Sequence, residues 1–126
     1  MTEGTYATPC GIIHYWLNMV DMSGPTLVFL PGLTADHRLF EKQIAYFENK
    51  YNVFVWDAPG HAASWPFTFD FDLMDKDRAG SCIRYNKAWH KQSGIPIEWI
   101  KGAGHNSNTD QPEIVNCLIE NLLLKL

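Results

Sequence analysis

Thr26-Leu27-Val28-Phe29-Leu30-Pro31-Gly32-Leu33 and Val53-Phe54-Val55-Trp56-Asp57-Ala58-Pro59-Gly60-His61 decide the fold of this chain. In each, a short apolar run is halted by a Pro-Gly pair. Runs of this length between such breakers predict strands covered on both faces, over residues 26–30 and 52–56. Between them, Asp36 is placed to cap a helix reaching about residue 50. Phe40, Ile44 and Phe47 fall at i, i+4 and i+7, so this helix carries one apolar stripe to bury.

Working outward, residues 5–8 and 12–20 predict two strands joined by a turn at Pro9-Cys10-Gly11, an N-terminal antiparallel hairpin. Downstream, Ser81 caps a helix predicted to run to Gln92 and end at Gly94, and a strand over residues 95–100 follows. After Gly102-Ala103-Gly104-His105 comes a last helix. Asp110 is its expected N-cap, Glu113 completes a capping box, and Ile114, Leu118 and Leu122 are expected to face inward. There is no internal repeat and no linker, so residues 1–126 read as a single domain. The expected class is α/β, a three-layer fold in which a hairpin continues into a mostly parallel sheet flanked by helices. In such sheets ligands sit beyond the carboxyl ends of the strands. The segments 31–34, 57–61 and 102–105 all lie there.

Composition narrows the function classes. Of the 126 residues, 46% are hydrophobic and 19% charged, which is a globular composition and excludes disorder. The net charge is −4 and basic residues are scattered singly, so no electrostatic footprint for nucleic acid or an anionic membrane is present. Met1-Thr2-Glu3-Gly4 does not begin a basic-then-apolar leader, and no apolar run is long enough to span a bilayer. Three cysteines, Cys10, Cys82 and Cys117, lack metal-ligand spacing and fit reduced, buried thiols in a cytoplasmic protein. His14, His37 and His90 join no constellation, so neither a metal nor a cofactor is expected.

Three segments together resemble the α/β-hydrolase family, in its branch of small esterases and lipases. Residues 27–33 resemble the third strand and oxyanion loop, with Gly32 and Leu33 at the loop; the N–H of Leu33 would by this match bind an oxyanion. Asp57-Ala58-Pro59-Gly60-His61-Ala62-Ala63-Ser64 resembles the D-x-x-G-H-x-x-S turn after the fourth strand. Residues 97–105 resemble the last strand and the loop of the catalytic histidine, here His105. Lys76-Asp77-Arg78-Ala79-Gly80 resembles the loop of the triad acid, which makes Asp77 that acid. What the resemblance implies is a carboxylic-ester hydrolase with a small apolar ester-like ligand and a sheet of order 1-2-4-3-8.

The middle of that family's fold is missing, including its nucleophile elbow G-x-S-x-G. Ser23, Ser64, Ser81, Ser93 and Ser107 all lie outside such a motif, so there is no expected nucleophile. A histidine base accelerates acyl transfer only when a deprotonatable group is in reach, and half of the oxyanion hole leaves with the elbow. The expectation is therefore an esterase-like, truncated protein, weakly active or inactive. Two other readings stand beside it. One is a non-catalytic module that binds a small ligand or pairs with itself through sheet edges, as a homodimer or a domain swap. The other is a deletion fragment joined at Asp75-Lys76-Asp77. The alternation of Phe67, Phe69, Phe71 and Leu73 with polar residues also admits a strand that would keep Asp77 beside His105.

Overall fold

The computed structural model describes residues 1–32, 34–68, 90–94 and 97–125. Thr2–Thr8 (β1) and Gly11–Asn18 (β2) form the expected hairpin, in register from Thr2↔Leu17 to Thr8↔Gly11. The Thr8 hydroxyl closes its turn, accepting from the N–H groups of Cys10 and Gly11 and donating to the Gly11 carbonyl. Gly11 is sterically required. A Cβ there would lie 2.6 Å from Phe67 Cδ2 and 2.8 Å from the Pro66 carbonyl, because Phe67 bridges to Gly11 across the sheet.

Thr26–Phe29 (β3) and Asn52–Trp56 (β4) pair parallel, and β4 pairs antiparallel with β2, giving the order β1-β2-β4-β3. The connection between β3 and β4 is helical, as the sequence predicts. The Asp36 carboxylate accepts from the Arg38 N–H and starts a 3₁₀ turn, His37–Phe40, which continues into Glu41–Phe47 (α1). Phe47 is fully buried, and Phe40 and Ile44 pack on the core formed by Phe29, Phe47, Val53 and Val55. Phe40 stacks on Phe29 with ring centroids 5.0 Å apart. Two side-chain amides, the buried Asn52 and the partly buried Asn18, tie the lower loops to this frame. Asn52 accepts from Val20 and Asp21 N–H and donates to the Asp21 and Gly24 carbonyls. Asn18 accepts from Val53 N–H and donates to the Glu48 and Tyr51 carbonyls.

The chain ends in a single helical turn, Ser107–Asp110 (α2), and the longer helix Pro112–Leu123 (α3). Here the structure corrects the sequence reading. Gln111, not Asp110, is the N-cap of α3, and the Asp110 carboxylate instead accepts from Gly104 N–H at 2.7 Å. The inward residues are Asn116, Ile119 and Leu123, while Ile114 is 45% exposed and Leu122 62%. The apolar residues of α3 run around much of its circumference, so periodicity left its phase ambiguous. Asn108 sets the phase from outside the helix. Its amide donates to the Leu39 carbonyl at 2.7 Å, and its carbonyl accepts from Gln43 at 2.9 Å.

Four further expectations change. Among the described residues the sheet is mixed rather than mostly parallel, since only β3 and β4 run parallel there. Residues 97–100 form no strand, so among the described residues β3 is an edge without the expected fifth neighbour. Val28 on that edge is 55% exposed, so β3 is covered on one face rather than two. The apolar run 26–30 misled because a one-sided strand can also carry apolar residues on its open face. Cys10 and Cys117 are exposed, not buried. Of the helix predicted over residues 81–92, the described part, residues 90–93, is helical and stops at Gly94, whose φ of +72° suits a helix end; its start and Cys82 lie outside the described residues. The alternating segment falls outside them beyond Thr68. No described helix is long and apolar enough to cross a membrane.

Two tests follow from this packing. In urea unfolding, Phe47→Ala is expected to cost about 3–5 kcal/mol and Ile119→Ala at least about 1 kcal/mol, while Leu122→Ser stays within about 0.5 kcal/mol. Equal losses at Ile119 and Leu122 would refute the helix phase. The second test concerns the Asp36 cap. The Arg38 guanidinium holds this carboxyl down to about 2 from an ordinary 3.8. A lowered folded-state pKa stabilises above the unfolded value and is lost on acidification. In an acid titration Asp36→Asn should therefore lose less stability than the native chain between about pH 4 and pH 2, the rest of the loss belonging to other carboxylates such as Asp21 and Glu120.

Candidate functional site

Of the sequence-predicted site, the described residues include Gly32 and His105, whereas Leu33 and Asp77 lie outside them. Gly32 follows β3, and its carbonyl accepts from Ala35 N–H at 3.0 Å in a turn. A Cβ at Gly32 would meet nothing within 4 Å and its φ is not positive, so the turn does not demand glycine there. His105 is exposed in the loop that begins with Gly102 at φ +79°. Among the described residues no carboxylate pairs with its ring. The segment after His105 is tied to the helical crossover. His105 lies three residues before Asn108, within about 10 Å of it along the chain. Asn108 is bonded to Leu39 and Gln43, on the helical segment that follows the Gly32 loop.

The best-ordered polar cluster lies instead at the carboxyl end of β4, around Asp57. This residue is fully buried. Its Oδ1 accepts from the His37 backbone N–H at 2.9 Å and lies 2.8 Å from His37 Nδ1, and its Oδ2 accepts from Ala63 N–H at 3.0 Å. Three N–H donors on one carboxylate are what allows a charge to be buried here. The backbone of Asp57 donates to the His14 carbonyl, and its own carbonyl accepts from the Ser64 hydroxyl at 2.8 Å. The turn between them follows from its sequence: Gly60 takes φ +78° and Ala62 φ +41°, and His61 Nδ1 lies 3.1 Å from the Pro59 carbonyl. Asp57 thus stabilises the turn that follows β4.

Ser64 is thereby disposed of as a nucleophile. Its hydroxyl hydrogen goes to the Asp57 carbonyl, and its oxygen accepts from His14 N–H at 2.8 Å. His14 also lies 2.9 Å from Glu3 through its ring, so serine, histidine and carboxylate are neighbours in space. They do not form a relay, because Ser64 bonds the backbone of His14 rather than its imidazole.

His37 is the functional candidate that sequence reasoning missed. Its ring stacks on Trp16 with centroids 3.7 Å apart, and its Nδ1 is held by Asp57. Twenty residues separate His37 from Asp57 and twenty-one from Trp16, so no local pattern could have shown it. Asp36, His37 and Asp57 also bring potential metal-ligand atoms within 4.8 Å of one another. Both carboxylates are already engaged, Asp36 by Arg38 and Asp57 by three N–H groups, so the trio is accounted for by protein bonds.

Fold and site thus define a mixed α/β domain with a four-stranded sheet and a buried carboxylate at the end of its central parallel strand. No protein-family model matches the chain, and neither a curated protein nor a solved structure shows significant similarity to it.

The structural assignment of Ser64 is open to a direct check. Ser64→Ala removes the partner of the part-buried His14 N–H and the buried bond to the Asp57 carbonyl, so it should cost about 1–3 kcal/mol in chemical unfolding. Any hydrolytic rate of the folded variant should stay unchanged. A variant that keeps its stability but loses turnover would contradict this assignment.

Proposed function

We propose that this chain is an α/β-hydrolase-like protein related to carboxylic-ester hydrolases, with ester turnover weak or lost. The observation that carries this reading is the turn from Asp57 to Ser64. Its first and last residues bond each other at the carboxyl end of β4, in a sheet of order β1-β2-β4-β3. That is the position and strand order the family resemblance implies for D-x-x-G-H-x-x-S. The bond from Asn108 to the Leu39 carbonyl is compatible with this reading, since it ties the segment after His105 to the helical segment that follows β3.

The chemistry left to such a site is limited. His105 is a base without a hydroxyl partner among the described residues. It would act by taking a proton from water as that water attacks the carbonyl carbon of a small apolar ester, the proton then passing to the departing alkoxide. General-base help of this kind contributes about 10²- to 10⁴-fold. No acyl-enzyme forms, and a hole of one N–H at Leu33 stabilises the oxyanion less than two.

Self-association is a second reading, favoured by the β3 edge. Val28 is 55% exposed and Leu30 59%, and among the described residues β3 has a partner on one side only. A second copy pairing there would make a homodimer.

Hydrolysis of a short-chain aryl ester tests the first reading. The native chain is expected to turn over far below about 1 s⁻¹, the low end for ordinary enzymes, and His105→Ala is expected to abolish what remains. Turnover at that level or above, unchanged by His105→Ala, would overturn it. A sedimentation profile that stays monomeric over a hundredfold concentration range would remove the second.

A further inference from the structure

We propose that His37 and Asp57 form a binding site for a small, largely apolar molecule bearing one neutral hydroxyl group. The proposal does not depend on the hydrolase reading, because it uses neither His105 nor the Gly32 loop.

It begins with the imidazole. Asp57 Oδ1 accepts from Nδ1, so in the neutral ring Nδ1 carries the hydrogen and Nε2 is an acceptor. The plane of the ring is fixed by its stacking on Trp16, and its backbone N–H is bonded to the same carboxylate oxygen. Such double fixing is more than a turn requires. It orients one nitrogen, Nε2, which has no protein partner among the described residues.

His37 lines a cavity of about 300 Å³ between β2, β4 and α1. Trp16, Ile44 and Val55 give it apolar walls, and Met1, Arg38, Glu41 and Glu48 also line it. The volume suits a single aromatic ring with a short substituent. The charges decide the polar group. Glu48 is paired with the Met1 ammonium at 3.4 Å and Arg38 with Asp36, so a carboxylate ligand would meet the negative charge of Glu41 and no free cation among the lining residues. A neutral O–H has no such conflict and gives Nε2 the donor it lacks.

Phenol at neutral pH is the probe, with binding followed by the NMR shifts of the His37 ring and the Trp16 indole. The expected result is saturable shifts at both residues, unchanged in His105→Ala. His37→Phe offers a ring to stack on Trp16 but removes Nε2 and also the Nδ1 donor to Asp57, so it is compared at equal foldedness, where it should weaken phenol roughly five- to tenfold. Anisole, which has the same ring and no hydroxyl hydrogen, should bind the native chain and His37→Phe alike. Equal phenol affinity for native and His37→Phe protein would refute the hydroxyl bond to Nε2. Absence of shifts at His37 and Trp16 in millimolar phenol would refute the site. Loss of binding in His105→Ala would place the ligand in the other loop and also overturn the proposal. None of these outcomes turns on ester hydrolysis, so failure here and failure of the hydrolase reading are separable.

Discussion

The rest of the structure depends on one buried carboxylate. Asp57 has no exposed surface, and each of its polar atoms reaches a different part of the chain. Its backbone N–H continues the pairing with β2 at His14, and its carbonyl holds Ser64. Its two carboxylate oxygens hold Ala63 and the start of the helical segment at His37. Burying an ionised carboxylate without these donors would cost several kcal/mol. The donors are therefore held in place by the charge as much as the charge is held by them. Loss of one would leave the others around an unsatisfied anion, which makes this cluster a cooperative knot rather than a sum of bonds.

The knot lies beside a small core. Among the described residues only Phe29, Phe47, Val53 and Val55 are buried hydrophobics, and the other apolar residues that pack on them are half exposed. Polar groups consequently carry more of the specification than in a larger domain. Gln43, Asn52 and Asn18 each bind backbone atoms far away in sequence, and so tie distant segments to the frame. This explains why the C-terminal helices find their register through Asn108 rather than through their own apolar stripe. It also explains why α3 tolerates Leu122 and Ile114 in solvent.

A site and a stability device are hard to separate when they share a residue. Asp57 fixes the turn after β4 and also orients the His37 imidazole, whereas His105, the histidine singled out by family resemblance, has no such support among the described residues. A base works best when its orientation and tautomer are set by a second group. By that criterion the structure prepares His37 and leaves His105 in an open loop. Ser64, which completes a serine-histidine-carboxylate neighbourhood on paper, is removed from it by one detail of geometry: its bond runs to a backbone N–H.

Local pattern was enough for the hairpin, β4, the helical crossover with Phe40, Ile44 and Phe47 inward, and the end of a helix at Gly94. Each rests on periodicity or turn chemistry within a few residues, where neighbours in sequence are neighbours in space. The turn from Asp57 to Ser64 was legible as a motif for the same reason. The tertiary structure alone decided the rest. It fixed the phase of α3 through Asn108, left one face of β3 open, exposed Cys10 and Cys117, and freed Gly32 from any steric need. It also joined His37 to Asp57 and Trp16. These features depend on contacts between segments some twenty to seventy residues apart. Such contacts are selected by burial and hydrogen-bond satisfaction across the whole fold, quantities that no window of sequence contains.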